Sequence, residues 1–109
     1  MLDRYPEAAA LDPEEGEVLT AELVVTDDVL VKAFALGPGA RVDPHEHDDA
    51  TNVFHVLRGT VTVVRDDEEE RVPAPGVVLN ERGVVHGARN DGEDPAVLTA
   101  SLCPLPGGS

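Results

Sequence analysis

Gly39-Ala40-Arg41-Val42-Asp43-Pro44-His45-Glu46-His47-Asp48-Asp49-Ala50-Thr51-Asn52-Val53-Phe54-His55-Val56-Leu57-Arg58-Gly59 carries three of the chain's four histidines between two glycines. His45 and His47 stand two apart. On an extended strand side chains alternate faces, so these two imidazoles share one. Same-face neighbours lie roughly 6.5–7 Å apart along a strand, and an imidazole nitrogen needs only about 2.0–2.1 Å to a metal, so both rings can converge on one ion. The competing reading is two exposed surface histidines. Arg41 and Asp43 share the histidine face as long as Pro44, which donates nothing to a ladder, does not break the alternation. Gly39 and Gly59 read as turn residues where the backbone needs positive φ.

Outward from this stretch the chain is strand after strand. Residues 17–25 and 29–36 are β-branched and apolar, separated by the turn signal Thr26-Asp27-Asp28. Gly37-Pro38-Gly39 breaks the next junction. Residues 41–47 follow, and 52–58 and 60–65 flank Gly59 as a tight hairpin. The five acids Asp66–Glu70 are expected at a hairpin tip, solvated, with a cation site as the alternative. Short strands are expected at 71–73, 77–80, 84–90 and 96–102. Many short strands with Gly and Pro turns predict an all-β fold, a sandwich or a barrel, without a helical period or a tandem repeat. The expected organisation is an acidic arm over 1–16, one β domain over 17–103 and a Pro/Gly tail over 104–109.

The length of 109 residues suits one domain, able to bury roughly two-thirds of the surface its unfolded chain exposes. Apolar residues are 41% but aromatics only 3%, so Val, Leu and Ala must fill the core. The net charge is −14, from 22 acids against 8 bases, with Lys32 the only lysine. A field of this sign repels phosphate, which argues against nucleic acid and anionic membrane surfaces as partners. It also strains the compact state unless salt screens it. Many acids with almost no lysine point to a salt-loving source; an ordinary acidic protein is the alternative. Cys103 stands alone, so an internal disulfide is impossible. The first six residues hold no apolar core of the signal-peptide kind, and no apolar run approaches the roughly 18 residues of a membrane span. A cytoplasmic protein is expected.

A mononuclear metal centre needs a third imidazole from elsewhere, and His86 supplies it, on a face shared with Val84, Ala88 and Asn90. Taken alone, His86 would read as a core or hydrogen-bonded histidine. His55 faces away from Asn52, Phe54 and Val56, beside the apolar Val53 and Leu57, so an outer face covered by a second subunit is its expected setting. Arg41 and Glu81 are candidates for guiding an anion and for a general base, against plainer readings as a surface arginine and a turn cap. Asn90 reads as a strand-end residue, and Cys103 has no identifiable base partner.

The Gly39–Gly59 run resembles the first motif of the cupin family: Gly, five residues, His-x-His, three or four residues, Glu, six residues, Gly. Every spacing fits, with four residues between His47 and Asn52, but Asn52 stands where the motif has glutamate. Glu81-Arg82-Gly83-Val84-Val85-His86-Gly87-Ala88-Arg89-Asn90 resembles the second motif from Gly83 onward. Glu81 replaces its proline, and Gly76 falls one position late for its opening glycine. The resemblance implies a small jelly-roll (cupin) β-barrel, usually a homodimer, with a metal in the barrel mouth. It also implies one divalent transition metal (Fe, Mn, Zn, Ni or Cu, which the sequence does not distinguish) held by His45, His47 and His86, with Asn52 as a weak fourth ligand or a non-ligand.

Three neutral imidazoles and an amide leave a divalent ion its full charge. Affinity for hard cations should fall without the carboxylate, and an anionic, chelating small-molecule ligand should be favoured. The ligand set resembles that of the cupin thiol dioxygenases, so oxygenase-type chemistry on a small polar or anionic molecule is the first expectation. Isomerase or decarboxylase chemistry comes behind it. The alternative is a cupin that binds or senses a small molecule without turning it over. A purely structural metal site is disfavoured, because such sites normally close with four strong ligands.

Overall fold

Strands form where apolar side chains recur at every second position, and β4 shows why. Along Thr51–Arg58 the side chains of Asn52, Phe54 and Val56 are buried, while Val53, His55 and Leu57 are half-buried on the opposite face. The computed structural model describes residues 10–46 and 48–104. The strands are β1 (Val18–Val25), β2 (Leu30–Leu36), β3 (Arg41–His45), β4 (Thr51–Arg58), β5 (Thr60–Arg65), β6 (Glu68–Pro73), β7 (Gly76–Asn80), β8 (His86–Arg89) and β9 (Ala96–Cys103). Among the described residues there is no helix, and none long and apolar enough to cross a membrane. Residues 1–9 of the expected arm and 105–109 of the expected tail lie outside the described residues.

The strands make two antiparallel sheets, β1-β2-β9-β4-β7 and β3-β8-β5-β6. Leu36, Phe54, Val56, Val78 and Leu98 of the first face Val61, Val63, Val72 and Ala88 of the second. This is the expected all-β jelly roll, with its inner faces packed as the core. It is a sandwich rather than a barrel closed by hydrogen bonds. The edges β6 and β7 stay apart and flank a groove lined by Arg65, Asp66, Glu70 and Leu79.

Two local expectations are corrected. Residues 52–58 and 60–65 do not form a hairpin: β4 pairs with β7 and β9, while β5 pairs with β6 and β8. Gly59 is a corner between the sheets, with φ +72°, and a Cβ there would meet the Pro95 carbonyl oxygen at 2.8 Å. A local reading cannot tell a turn that folds a strand back from one that carries it to the other sheet. The acidic run, likewise, is not all hairpin tip. Only Asp66 and Asp67 turn, and Glu68, Glu69 and Glu70 are strand residues paired with Arg65, Val64 and Val63. Carboxylates on an edge strand discourage edge-to-edge pairing.

Candidate functional site

Strand β3 brings the first histidine to the site through an irregularity. Val42 pairs with Ala88 and His45 with His86, so two residues lie between successive partners on β3 and one on β8. This bulge answers the question Pro44 raised in the sequence: the alternation does break. Arg41 and Asp43 are exposed and pair with each other at 3.1 Å, while Val42 and His45 both line the interior cavity. The expected common face of Arg41, Asp43 and His45 is therefore corrected. Gly87 makes the close approach of β3 to β8 feasible, since a Cβ there would meet the Val42 carbonyl oxygen at 2.9 Å and Pro44 Cα at 3.1 Å.

The bulge sets His45 beside His86, with ring centroids 4.7 Å apart. His86 is buried, and the edge of Phe54 meets its ring, centroids 5.6 Å apart. Each imidazole is held the same way: His45 Nδ1 lies 2.9 Å from the Asp43 carbonyl oxygen and His86 Nδ1 2.9 Å from that of Val84. Carbonyls only accept, so in the neutral rings Nδ1 carries the proton and Nε2 keeps its lone pair. That is the pre-set state of a metal-ligating histidine.

Asn52 is buried on β4, and its Oδ1 accepts a hydrogen bond of 2.9 Å from Asn80 Nδ2 on β7, its register partner. Asn80 Oδ1 is buried and accepts none among the described residues. Asn52 and His45 line a cavity of about 70 Å³ together with Leu30, Lys32, Phe34 and Leu102. His47 lies outside the described residues, and among those residues no cluster of three or more His, Cys, Asp or Glu is placed to hold a metal ion.

Lys32 is a member of the cavity that reading for motifs missed. It is half-buried on β2, with Nζ 5.4 Å from the centre of the Phe34 ring. The signal was the alternation itself, because Leu30, Lys32 and Phe34 share the inner face. The other candidates sit elsewhere. His55 is on the outer face of β4, opposite Val77. Glu81 is exposed, and its carbonyl accepts the Val84 N–H in the turn before β8. Asn90 is a buried clamp whose Nδ2 donates to the carbonyls of Leu36 and Asp94. Cys103 is exposed at the end of β9. On the outside of the second sheet, Arg89 bridges Glu69 and Asp91, and its hydrogen bonds hold both carboxyls below their ordinary pKa values.

The donor set fits a transition metal. Two imidazoles, each with Nδ1 held by a carbonyl, stand side by side with ring centroids 4.7 Å apart. Neutral imidazoles suit Zn, Cu, Fe and Ni better than the hard cations.

Comparison with known proteins agrees with this architecture. The family model described as Cupin domain matches residues 33–102. Germin-like protein 5-1 of Oryza sativa subsp. japonica is 34% identical over 76 residues, covering 64% of this chain and 34% of that protein; the chain spans about a third of the length of this curated relative. The crystal structure of TT1209 from Thermus thermophilus superposes with a TM-score of 0.83 at 26% identity, covering 94% of this chain and 95% of that one. A predicted oxalate decarboxylase from Thermotoga maritima superposes with a TM-score of 0.78 at 22% identity, over 90% and 96% of the two chains. The motif spacings, the two-sheet jelly roll and the match over residues 33–102 together establish that this chain belongs to the cupin family.

Proposed function

We propose that the chain is a small metal-binding cupin that holds one divalent transition metal through His45, His47 and His86 and acts on a small polar or anionic molecule. The observation that carries this reading is the matched pair His45 and His86, each with Nδ1 engaged by the carbonyl two residues before it. Both rings are thereby set to offer Nε2. When bound, the metal supplies Lewis-acid or redox chemistry. The chain's own residues do the rest. Phe54 fixes the plane of His86, and Leu30, Phe34 and Leu102 keep the cavity wall apolar and hold water away from a bound ligand. Oxygenase-type chemistry leads, with isomerase or decarboxylase chemistry second.

A binding or sensing module is the second reading. What favours it is Asn52, which stands where the family motif has a carboxylate and whose oxygen is engaged by Asn80. Metal analysis after anaerobic reconstitution with Fe²⁺ tests the centre. The wild type is expected to hold one ion per chain, and a His45→Ala, His86→Ala double variant to lose it while still unfolding cooperatively. Metal retained by that variant ends the three-histidine reading. Oxygen uptake on addition of a thiol or a keto acid would identify the enzyme; tight ligand binding without turnover would identify the sensor.

A further inference from the structure

Lys32 is the only lysine of a chain with net charge −14, and it sits where a cation is least expected. Its neighbours on the inner face of β2 are Leu30 and Phe34; across its two ladders it faces Ala100 of β9 and the exposed Glu22 of β1. Among the described residues it is the only base lining the cavity that holds His45 and Asn52. Four of the arginines serve elsewhere: Arg41 pairs with Asp43, Arg58 donates to the Leu11 carbonyl, Arg65 to the Leu79 carbonyl, and Arg89 binds Glu69 and Asp91. Lys32 makes no ion pair among the described residues, and its ammonium lies over the Phe34 ring. An ammonium group in a partly apolar cavity gains most from a desolvated anion, which a surrounding excess of solvated carboxylates does not supply.

The cavity is about 70 Å³, room for a ligand of only a few non-hydrogen atoms. Its wall is aliphatic and aromatic on the first sheet and carries His45 on the second. We infer that Lys32 is the specificity-determining residue of this site: it binds the carboxylate of a short-chain carboxylic acid whose small apolar body lies against Leu30, Phe34 and Leu102, with its remaining polar group turned to the histidines. The assignment rests on the cavity being the ligand site of the proposed function. It sharpens "small polar or anionic molecule" to a short carboxylate recognised by charge.

Lactate and its neutral isostere lactamide are the probes, titrated calorimetrically into the metal-reconstituted chain. The wild type is expected to prefer lactate. Lys32→Met is expected to weaken lactate binding by roughly tenfold or more, the usual loss for a charged hydrogen bond, and to bring lactate and lactamide to near-equal affinity. Lys32→Arg should keep the preference for lactate. Metal content and melting temperature should be unchanged in both variants, which separates the role of Lys32 from that of the histidines. Lactate binding that is equally tight in Lys32→Met, or absent in the metal-loaded wild type, overturns the assignment. If the chain takes up no metal, the metal reading fails alone. Lys32 is then tested in the metal-free protein by a lactate-induced shift of its side-chain ammonium resonance, and no shift there overturns it as well.

Discussion

Asn52 and Asn80 face each other across the β4–β7 ladder and share one hydrogen bond, with Asn52 lining the cavity. Asn80 Nδ2 already donates to the side chain at position 52, and a glutamate there would carry its carboxylate one methylene further into the cavity. A carboxylate oxygen that keeps Asn80 Nδ2 as its donor would make that bond charge-assisted and stronger. Asn52→Glu is expected to fold, because the added charge gains both Asn80 Nδ2 and a bound cation as partners. Mn²⁺ affinity should rise by at least roughly tenfold, since carboxylate oxygen suits this harder ion where an amide does not. Calorimetric Mn²⁺ titration of the two proteins checks this; equal affinities would mean that residue 52 does not reach the metal. Position 52 itself was legible from motif spacing. Its hydrogen bond to Asn80 was not, because the partner is 28 residues away and becomes a neighbour only through the register of β4 with β7.

Strand β3 reaches the site by a bulge, and Gly87 on β8 is the residue that permits it. Adding a methyl group at position 87 would place a carbon 2.9 Å from the Val42 carbonyl oxygen, which is backbone and cannot swing aside. In Gly87→Ala, β3 must shift away from β8, carrying His45 from His86. The expected cost is about 1–3 kcal/mol of stability from overpacking. Metal affinity should fall by roughly tenfold or more, a loss typical of disturbed ligand orientation. Urea unfolding and metal titration of the same variant check the two effects, and unchanged metal affinity would show that β3 position does not control the centre. These features mark where the sequence could be read and where it could not. The alternation along β4, and the positive φ at Gly39, Gly59 and Gly83, follow from local chemistry. Pro44 announced that something happens on β3, but whether it ends the alternation depends on pairing with β8. Gly59 announced a turn, but its direction depends on which strands already occupy each sheet. Lys32 was visible as a lone lysine, yet its meaning came only when β2 lined the cavity.

Among the described residues the large exposed apolar side chains are Val25 on β1 and a pair on β7. Val77 and Leu79 of β7 are 67% and 49% exposed, and they lie opposite His55 and Val53 of β4. We propose that a second copy of the chain covers this face, and that Val77→Asp with Leu79→Asp shifts the protein to half its mass in light scattering while the site still binds metal. A wild type that is already monomeric would exclude this contact. Charge governs the same molecule from the other side. Arg41 pairs with Asp43 and Arg89 with Glu69 and Asp91, but Asp66, Asp67, Glu68 and Glu70 are exposed and make no ion pair among the described residues. Their repulsion acts over about 10 Å in 0.1 M salt and over about 3 Å in 1 M salt. With a net charge of −14, folding draws these carboxylates together against that repulsion, so salt should favour the folded state. The melting temperature is expected to rise by roughly 5 °C or more between about 0.1 M and about 2 M KCl, equivalent to about 1 kcal/mol for a domain of this size. A variant with Asp67, Glu68 and Glu70 changed to Asn and Gln should melt higher in low salt and gain less from KCl. If calorimetry shows the wild type equally stable in both solutions, its acidity is not an adaptation to salt.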